Sequence, residues 1–487
     1  MLFNSYAFVL LFLPLGLLGF YLLGRLCRDI RVSRAFLLLL SLVFYASHDL
    51  RFVPILLGSA LVNHLLARAM PRTIGGRPRP RLWLVLGLLA NVGALLFFKY
   101  TNFFIATYNQ LTGGHQPALQ LLLPLGISFY TFQQIAFLVD AYRGQAPRYP
   151  LLDYLCFVTF FPTVMSGPIA LHSEVIPQLQ ADDQRRFQWE NFARGLLAFS
   201  LGMAKKVLLA DTLGQAADYG FASIPGMNTP TALVVMLCYT LQLYFDFSGY
   251  CDMATGLGLF FNVKLPQNFN SPYRALTISD FWRRWHMTLT RFFTQYIYIP
   301  LGGNRRGMAR TCCHVMVVFC ISGLWHGANW TFVVWGLLHG GAQVLHRLCK
   351  KQVEKLHPAL SWLLTFSFVN LTWVIFRAPT LRDAWAFLGN IFRMDLGPLD
   401  LYLTEHFDLV EFLWLRLQIM PTQARWNLMM CLLFVAFALV ASIQMKNTDE
   451  RLACFRPRFS TMVVCAFLLV WSLLSFSGVS SFLYVMF

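Results

Sequence analysis

The chain has 487 residues, of which 57% are hydrophobic and 16% aromatic, while only 13% carry a charge. With a mean hydropathy of +0.56, this composition excludes an ordinary soluble domain and indicates a polytopic membrane protein. The formal net charge of +17 comes from basic residues in short segments between apolar runs, as positive-inside orientation requires. That arrangement favours contact with a lipid bilayer and argues against a nucleic-acid partner.

The first apolar segment, residues 6–23, predicts a retained spanning helix, because neither a positive leading region nor a small-residue cleavage site accompanies it. A second cytoplasmic turn is expected at residues 68–81, where Gly and Pro lie among five arginines. The first loop is predicted to be cytoplasmic, with the N-terminus outside, because four arginines follow the first segment: Arg25, Arg28, Arg31 and Arg34.

Further apolar segments are distributed over the whole chain. They cover residues 35–46, 52–67, 82–98, 119–139, 151–165, 192–209, 231–247, 311–338, 360–376, 427–443 and 460–487. Since a spanning helix needs roughly 20 mostly apolar residues, we expect an all-α protein with about 11 to 13 membrane helices, some of them short or re-entrant. No repeat and no long polar linker divides the chain, so a single membrane domain over residues 1–487 is expected.

The least regular part of the chain is residues 246–307, which are rich in Gly, Pro, Asn and Asp. Such backbone is tolerated at membrane depth only where protein buries it or where it lines a water-filled cavity. Within it, Thr277 and Asp280 have capping-box spacing and predict a helix that runs on past His286. Trp282 and His286 would share one face of that helix. We therefore expect a folded cavity wall that carries a histidine.

A second histidine lies in the apolar segment 311–338. As one straight helix this segment would be about 42 Å long, with His326 near its middle. Ser322, Asn329 and Trp330 would lie on the same face as His326. The sequence thus predicts a polar stripe across an apolar helix.

A histidine at this depth has two explanations. It can donate a hydrogen bond to a neighbouring helix, or it can mark a pathway or a reaction centre, as intramembrane ionisable groups tend to do. Both stay open for His326 and His286, whereas His339 and His346 are predicted to be structural or interfacial. An imidazole, with a reference pKa of about 6.5, can take the proton of a hydroxyl that attacks an acyl carbon, which is the step needed for O-acylation.

Other active-site patterns do not occur in the sequence. It contains no GxSxG, HExxH, GxxxxGK[ST] or CxxC motif. Ser128 is followed by Tyr130 where a nucleophile elbow needs glycine, so we expect Ser128 to be a helix-packing residue. The eleven cysteines lack metal-ligand spacing and are predicted to be small apolar residues. No metal and no tightly bound cofactor are expected.

These residues resemble the membrane-bound O-acyltransferase (MBOAT) family, specifically its branch with the alginate O-acetyltransferase membrane subunit and the teichoic-acid D-alanyl transfer protein. The matching stretches are PLGISFYTFQQIAFLVDAYRG (124–144), FFPTVMSGPI (160–169), the irregular region 246–307, SGLWHGANWTFVVWGLLHG (322–340) and WVIFRAPTLRDAWAFL (373–388). The resemblance as a whole covers about residues 1–390 in order, and residues 391–487 match only in being hydrophobic.

The resemblance implies an MBOAT fold, with helices around a central tunnel, in the bacterial inner membrane. It implies that His326 is the catalytic histidine and that His286 occupies a second catalytic position. For the alginate-like branch it also implies acetyl-CoA as a cytoplasmic acyl donor. The acetyl group would pass to a periplasmic SGNH-type acetyltransferase partner and finally to an exported polysaccharide such as alginate.

Basic and aromatic residues near the histidines extend this hypothesis. Trp325 and Trp330 are expected to shape the tunnel beside His326, although ordinary packing explains them equally well. Four arginines of the irregular region have guanidinium groups that could bind the CoA phosphates bidentately or simply anchor the cytoplasmic side: Arg283, Arg284, Arg305 and Arg306.

Two alternatives stay open at this stage. The same fold could act on peptidoglycan, cellulose or teichoic acid, with an acylated carrier protein as donor. A protein of another class, a transporter or flippase, could use the histidines to line a proton or lipid path.

Overall fold

The fold is given by a computed structural model that describes residues 1–70, 81–420, 422–476 and 482–483. The predicted turn at 68–81 lies mostly outside these residues, as does part of the apolar run 460–487. Every regular element within the described ranges is helical, which confirms the all-α prediction.

The first eight α-helices occupy the N-terminal part of the chain. They are α1 (Leu13–Leu26), α2 (Ile30–Ala46), α3 (Val53–Ala69), α4 (Leu82–Leu95), α5 (Thr101–Thr112), α6 (Ile127–Arg143), α7 (Leu151–Thr159) and α8 (His172–Gln180). The central part contains α9 (Trp189–Ala204), α10 (Asp211–Ala222), α11 (Thr229–Phe260), α12 (Ile278–Arg284), α13 (Met287–Phe293), α14 (Met308–His326) and α15 (Trp330–Leu348).

The remaining helices are α16 (Lys350–Val353), α17 (Pro358–Arg377), α18 (Leu381–Phe392), α19 (Leu401–Glu405), α20 (Leu413–Ile419), α21 (Gln423–Gln444), α22 (Thr448–Ala453) and α23 (Phe459–Leu474). Short π-helical segments precede α1, join α4 to α5, join α9 to α10 and follow α13: Ala7–Phe12, Leu96–Tyr100, Lys205–Ala210 and Thr294–Tyr298. In the described ranges, 3₁₀ turns lie at Leu50–Phe52, Pro272–Arg274 and Val410–Phe412.

Seven helical stretches of the described chain are long and apolar enough to cross a bilayer. They are Ala7–Leu26, Leu50–Ala69, Leu82–Thr112, Thr229–Phe260, Met308–His326, Pro358–Arg377 and Gln423–Gln444. The first of them confirms the predicted spanning helix at residues 6–23. We expected about 11 to 13 membrane helices, including short ones. Besides the seven long stretches, the described chain contains a shorter apolar helix, α23.

The centre of the molecule is α11, a mostly buried helix of 32 residues. We predicted irregular backbone from residue 246 onward, and this is wrong for its first part, because α11 continues without a break to Phe260. The irregular backbone begins at Phe261, and its non-glycine residues in the left-handed region are Asn262, Ser271 and His286. The buried apolar residues form two large clusters, and α11 contributes side chains to both.

Glycines in α11 allow close contact with α9 and do not break the helix. A methyl group added to Gly249 would lie 2.8 Å from the carbonyl oxygen of Gly202, and one added to Gly256 would lie 2.6 Å from that of Gly195. Small residues that let two backbones approach are typical of helix packing in membranes. The glycines of α11 therefore serve helix packing, and it was wrong to predict irregular backbone from them.

Two further sequence predictions are corrected. Only parts of the apolar runs 119–139 and 151–165 are helical, because α6 begins at Ile127, after Gly126 with a φ of 71°, and α7 ends at Thr159. Arg34, assigned to the first loop, lies in α2 and forms a buried ion pair with Asp153. An isolated charge would be costly there, and the pairing explains how this arginine can be buried.

Candidate active site

His326 is the last residue of α14, and it does not lie in the middle of a straight helix. The predicted helix 311–338 is a helical hairpin instead: α14 ends at His326, Gly327 is extended, and α15 begins at Trp330. The side chain of Asn329 accepts a hydrogen bond from the backbone N–H of Thr331 and so caps α15. The capping asparagine explains why the chain turns here despite its apolar composition.

Close packing of the two arms holds this hairpin together. A methyl group added to Gly323 would lie 2.2 Å from the carbonyl oxygen of Phe332, and one added to Gly336 would lie 2.4 Å from that of Phe319. Only glycine fits this approach of the two backbones. The glycines thereby fix the position of the helix end that carries His326.

Aromatic side chains enclose His326, which is 3% exposed. The centroid of its ring lies 4.9 Å from that of Trp325, 5.1 Å from that of Trp335 and 5.2 Å from that of Phe376. Such an enclosure excludes bulk water and strengthens electrostatic interactions with a reacting group.

His286 lies at a break between two short helices. The predicted helix that continues past His286 is wrong, because α12 ends at Arg284 and α13 begins at Met287. His286 itself adopts a left-handed conformation, with φ 43° and ψ 53°. The predicted face shared by Trp282 and His286 is therefore absent.

Asn268 orients the His286 ring, and sequence analysis missed this residue. The two side chains form a hydrogen bond of 3.1 Å between His286 Nδ1 and Asn268 Oδ1. The same oxygen accepts hydrogen bonds from the backbone N–H and the hydroxyl of Thr288. Phe247 of α11 packs edge-on against the imidazole, with 4.8 Å between ring centroids. The spacing in sequence gave no signal for this contact, because irregular backbone brings Asn268 to the ring.

The structure brings the two predicted catalytic histidines to the same tryptophan. The ring centroid of His286 lies 6.0 Å from that of Trp325, which in turn lies 4.9 Å from that of His326. Both imidazoles are fully enclosed. This arrangement provides two groups that can exchange protons beside one apolar surface, and it suits general acid–base chemistry on a bound acyl group.

The three residues that were predicted to share the His326 face have separate positions. Ser322 is buried one turn before His326. Trp330 is 46% exposed and packs on Phe103, so it does not lie beside His326 as we expected. Asn329 caps α15 and donates a hydrogen bond to the Pro379 carbonyl, so it does not share a helical face with His326.

Trp282 connects the site to His339. The Trp282 indole donates a hydrogen bond of 3.2 Å to His339 Nδ1, and His339 Nε2 lies 3.0 Å from the hydroxyl oxygen of Thr372. Trp335 packs against both Trp282 and His326. Both ring nitrogens of His339 are thus in hydrogen-bond contact with other side chains, and its structural or interfacial role stays a prediction.

The four arginines predicted to bind the donor differ in their exposure and in their contacts. Arg284 forms an ion pair of 3.0 Å with Asp280 and donates a hydrogen bond to the Asn270 carbonyl. Arg283, Arg305 and Arg306 are exposed. Arg305 and Arg306 precede α14, which carries His326 at its opposite end.

Two comparisons with known proteins agree with this architecture. Residues 141–382, which include both histidines, match the model of the membrane-bound O-acyltransferase family. Over 413 residues the chain is 45% identical to "Peptidoglycan O-acetyltransferase" of Helicobacter pylori, and the match covers 79% of this chain and 78% of that protein. The chain therefore belongs to the MBOAT family and is a multi-pass membrane O-acyltransferase. Family membership decides against the transporter alternative.

Other relatives are similar to this chain at lower identity. "Probable alginate O-acetylase AlgI" of Pseudomonas aeruginosa is 39% identical over 399 residues, which cover 80% of this chain and 75% of that protein. "Teichoic acid D-alanyltransferase" of Bacillus subtilis is 28% identical over 282 residues, which cover 54% of this chain and 70% of that protein. The predicted family resemblance is confirmed.

Proposed function

We propose that this protein moves acetyl groups from cytoplasmic acetyl-CoA across the membrane for O-acetylation of a glycan outside the cytoplasm. His326 is the reaction centre in this proposal, and His286 assists it. The observation that carries the proposal is the pair of buried imidazoles in contact with Trp325, in a chain whose family transfers acyl groups to oxygen.

The chemistry uses the imidazole as a proton acceptor. A hydroxyl of the acceptor gives its proton to an imidazole nitrogen while the hydroxyl oxygen attacks the thioester carbon of acetyl-CoA. The carbon–sulfur bond then breaks, an O-acetyl ester remains, and the CoA thiolate takes the proton back from the imidazolium. Atoms and charges balance without a metal or a redox cofactor as a reactant.

The position of His326 on α14 supports entry of donor and acceptor from opposite faces. The helix of 19 residues is about 28 Å long, and Arg305 and Arg306 lie just before its first residue. In our proposal Arg283, Arg305 and Arg306 bind the CoA phosphates at the cytoplasmic face, while Arg284 acts through its contact with Asp280.

The names of the relatives support a cell-envelope glycan as the final acceptor. The relative with 45% identity is named for peptidoglycan and that with 39% identity for alginate. We therefore propose peptidoglycan as the first acceptor to test, ahead of the alginate that the motif pattern suggested. A periplasmic SGNH-type acetyltransferase would complete the transfer, as the resemblance implies.

The first test is loss of acetyl-CoA turnover in His326→Ala. Removal of the proton acceptor should lower CoA release by the purified protein at least about 100-fold, with an unchanged thermal midpoint. His115→Ala, which changes a histidine in an exposed loop, is the matched control and should keep wild-type turnover. Wild-type turnover in folded His326→Ala would contradict the proposed role of His326.

A further inference from the structure

The carbonyl groups at the end of α14 bind side chains from another helix. The last four carbonyls of an α-helix have no partner within the helix. In α14 the hydroxyl of Tyr100 donates to the Leu324 carbonyl. The ammonium of Lys99 donates to the carbonyls of Trp325, at 2.6 Å, and of His326, at 3.1 Å. Two consecutive side chains thus hold the three carbonyls that lead up to and include His326.

The backbone around Lys99 explains how both side chains reach the same helix end. Lys99 and Tyr100 lie in the π-helical segment Leu96–Tyr100 between α4 and α5. A π-helical turn contains more residues than an α-helical turn, so consecutive side chains point in more similar directions. Such segments occur frequently at functional sites.

The charge of Lys99 suits this position. The carbonyl end of a helix carries a partial negative charge, and a cation placed there is stabilised. The same ammonium lies 5.9 Å from the ring centroid of Trp325, the tryptophan that both histidines contact. Lys99 belongs to the apolar span Leu82–Thr112, where a charge without such contacts would be costly.

We propose that Lys99, assisted by Tyr100, is a positioning residue that holds the backbone of His326 and the ring of Trp325 in the geometry for acyl transfer. This inference rests on the proposed function of His326. A displacement of a reacting group by about 1 Å can reduce a rate about 100-fold. Because His326 is the terminal residue of its helix, its backbone depends on contacts from outside that helix, and the side chains of Lys99 and Tyr100 supply them.

Substitutions at Lys99 separate positioning from general stabilisation. Lys99→Met keeps much of the side-chain volume but removes the charge and the donors, so kcat should fall about 10- to 100-fold with the KM for acetyl-CoA within about twofold. Lys99→Arg keeps a cation with several donors and should retain roughly a third or more of wild-type kcat. Tyr100→Phe, which removes one of the three hydrogen bonds to the end of α14, should lower kcat only several-fold.

A neighbouring residue provides the matched control. The hydroxyl of Thr101, the first residue of α5, donates to the carbonyl of Phe97 in the preceding π-helical segment and not to α14, so Thr101→Val should keep wild-type kcat. All variants are purified and compared by thermal midpoint. An unchanged midpoint in Lys99→Met, together with the loss of kcat and its recovery in Lys99→Arg, supports the proposal.

Three results would overturn the proposal. They are wild-type kcat in Lys99→Met, a loss of activity that parallels a loss of thermal stability, and an equal loss in Lys99→Met and Lys99→Arg. His326→Ala is assayed beside them. If it is inactive while Lys99→Met is fully active, only the positioning role fails, whereas activity in His326→Ala shows that the proposed function of His326 itself fails.

Discussion

His286 adopts a backbone conformation that costs free energy for most residues. Its φ of 43° and ψ of 53° lie in the left-handed region, which costs roughly 1–2 kcal/mol for an L-residue other than glycine. Asparagine and histidine adopt it more often than other residues do, and β-branched residues almost never do. The break between α12 and α13 therefore needs a particular class of residue as well as an imidazole.

Two substitutions of His286 should separate its backbone role from its chemistry. His286→Asn and His286→Val both remove the imidazole, and both should lose acetyl transfer. Only His286→Val should also lower the thermal midpoint, by the equivalent of about 1–2 kcal/mol, because valine does not tolerate this conformation. Equal midpoints for the two purified variants would show that the left-handed backbone does not limit the residue choice here.

Sequence analysis proposed the two histidines and placed Trp325 beside His326, but it missed Asn268 and Lys99. Composition and the family motifs singled out His326 and His286 because ionisable groups are rare in apolar segments. The same argument applies to Lys99, a lone cation in an apolar span, and could have identified it. Asn268 could not be found in this way, since only the path of the irregular backbone brings it to His286.

At the scale of elements, the hairpin of α14 and α15 depends on glycines where the arms meet. Gly323 faces the backbone of α15, where a methyl group would lie 2.2 Å from the Phe332 carbonyl oxygen. A backbone atom cannot move aside as a flexible side chain does. The arms would have to separate, and the helix end at His326 would move with them.

Gly323→Ala and Gly341→Ala form a matched pair on this hairpin. The first should destabilise the protein by about 1–3 kcal/mol through overpacking and lower acetyl transfer. At Gly341 an added methyl group meets no atom within 4 Å, so Gly341→Ala should be neutral or slightly stabilising. Thermal midpoints and CoA release of the two purified proteins provide the comparison. Equal midpoints would contradict the close backbone contact.

Helices were easier to predict from the sequence than their ends. Hydrophobic runs located most of the apolar helices, because lipid contact requires about 20 such residues. The same signal failed at α11, whose glycines serve packing against α9, and at residues 326–330, where a capping asparagine divides one apolar run into two helices. Both errors arise because the same residue type can have different structural roles. A glycine can serve helix packing, and an asparagine can cap a new helix.

At the scale of the whole molecule, family membership and the all-α membrane fold were predictable from the sequence, because they depend on composition and on motifs distributed over most of the chain. The enclosure of both histidines around Trp325 depends on long-range packing among α11, α14, α15 and α17, which no local pattern specifies. The central tunnel and the cytoplasmic position of the first loop stay predictions. The tunnel and the cytoplasmic first loop together predict that acetyl groups are transferred in one direction across the bilayer.

Transfer across sealed membranes tests the central claim most directly. Inverted membrane vesicles are prepared from cells that produce the protein together with a periplasmic SGNH-type acetyltransferase, the partner that we propose. The vesicles enclose soluble peptidoglycan fragments, and radiolabelled acetyl-CoA is added outside. We predict that the enclosed fragments acquire acetyl label with the wild-type protein and with His115→Ala, and that His326→Ala reduces this label at least about 100-fold. Labelling at the wild-type rate with folded His326→Ala would contradict the account.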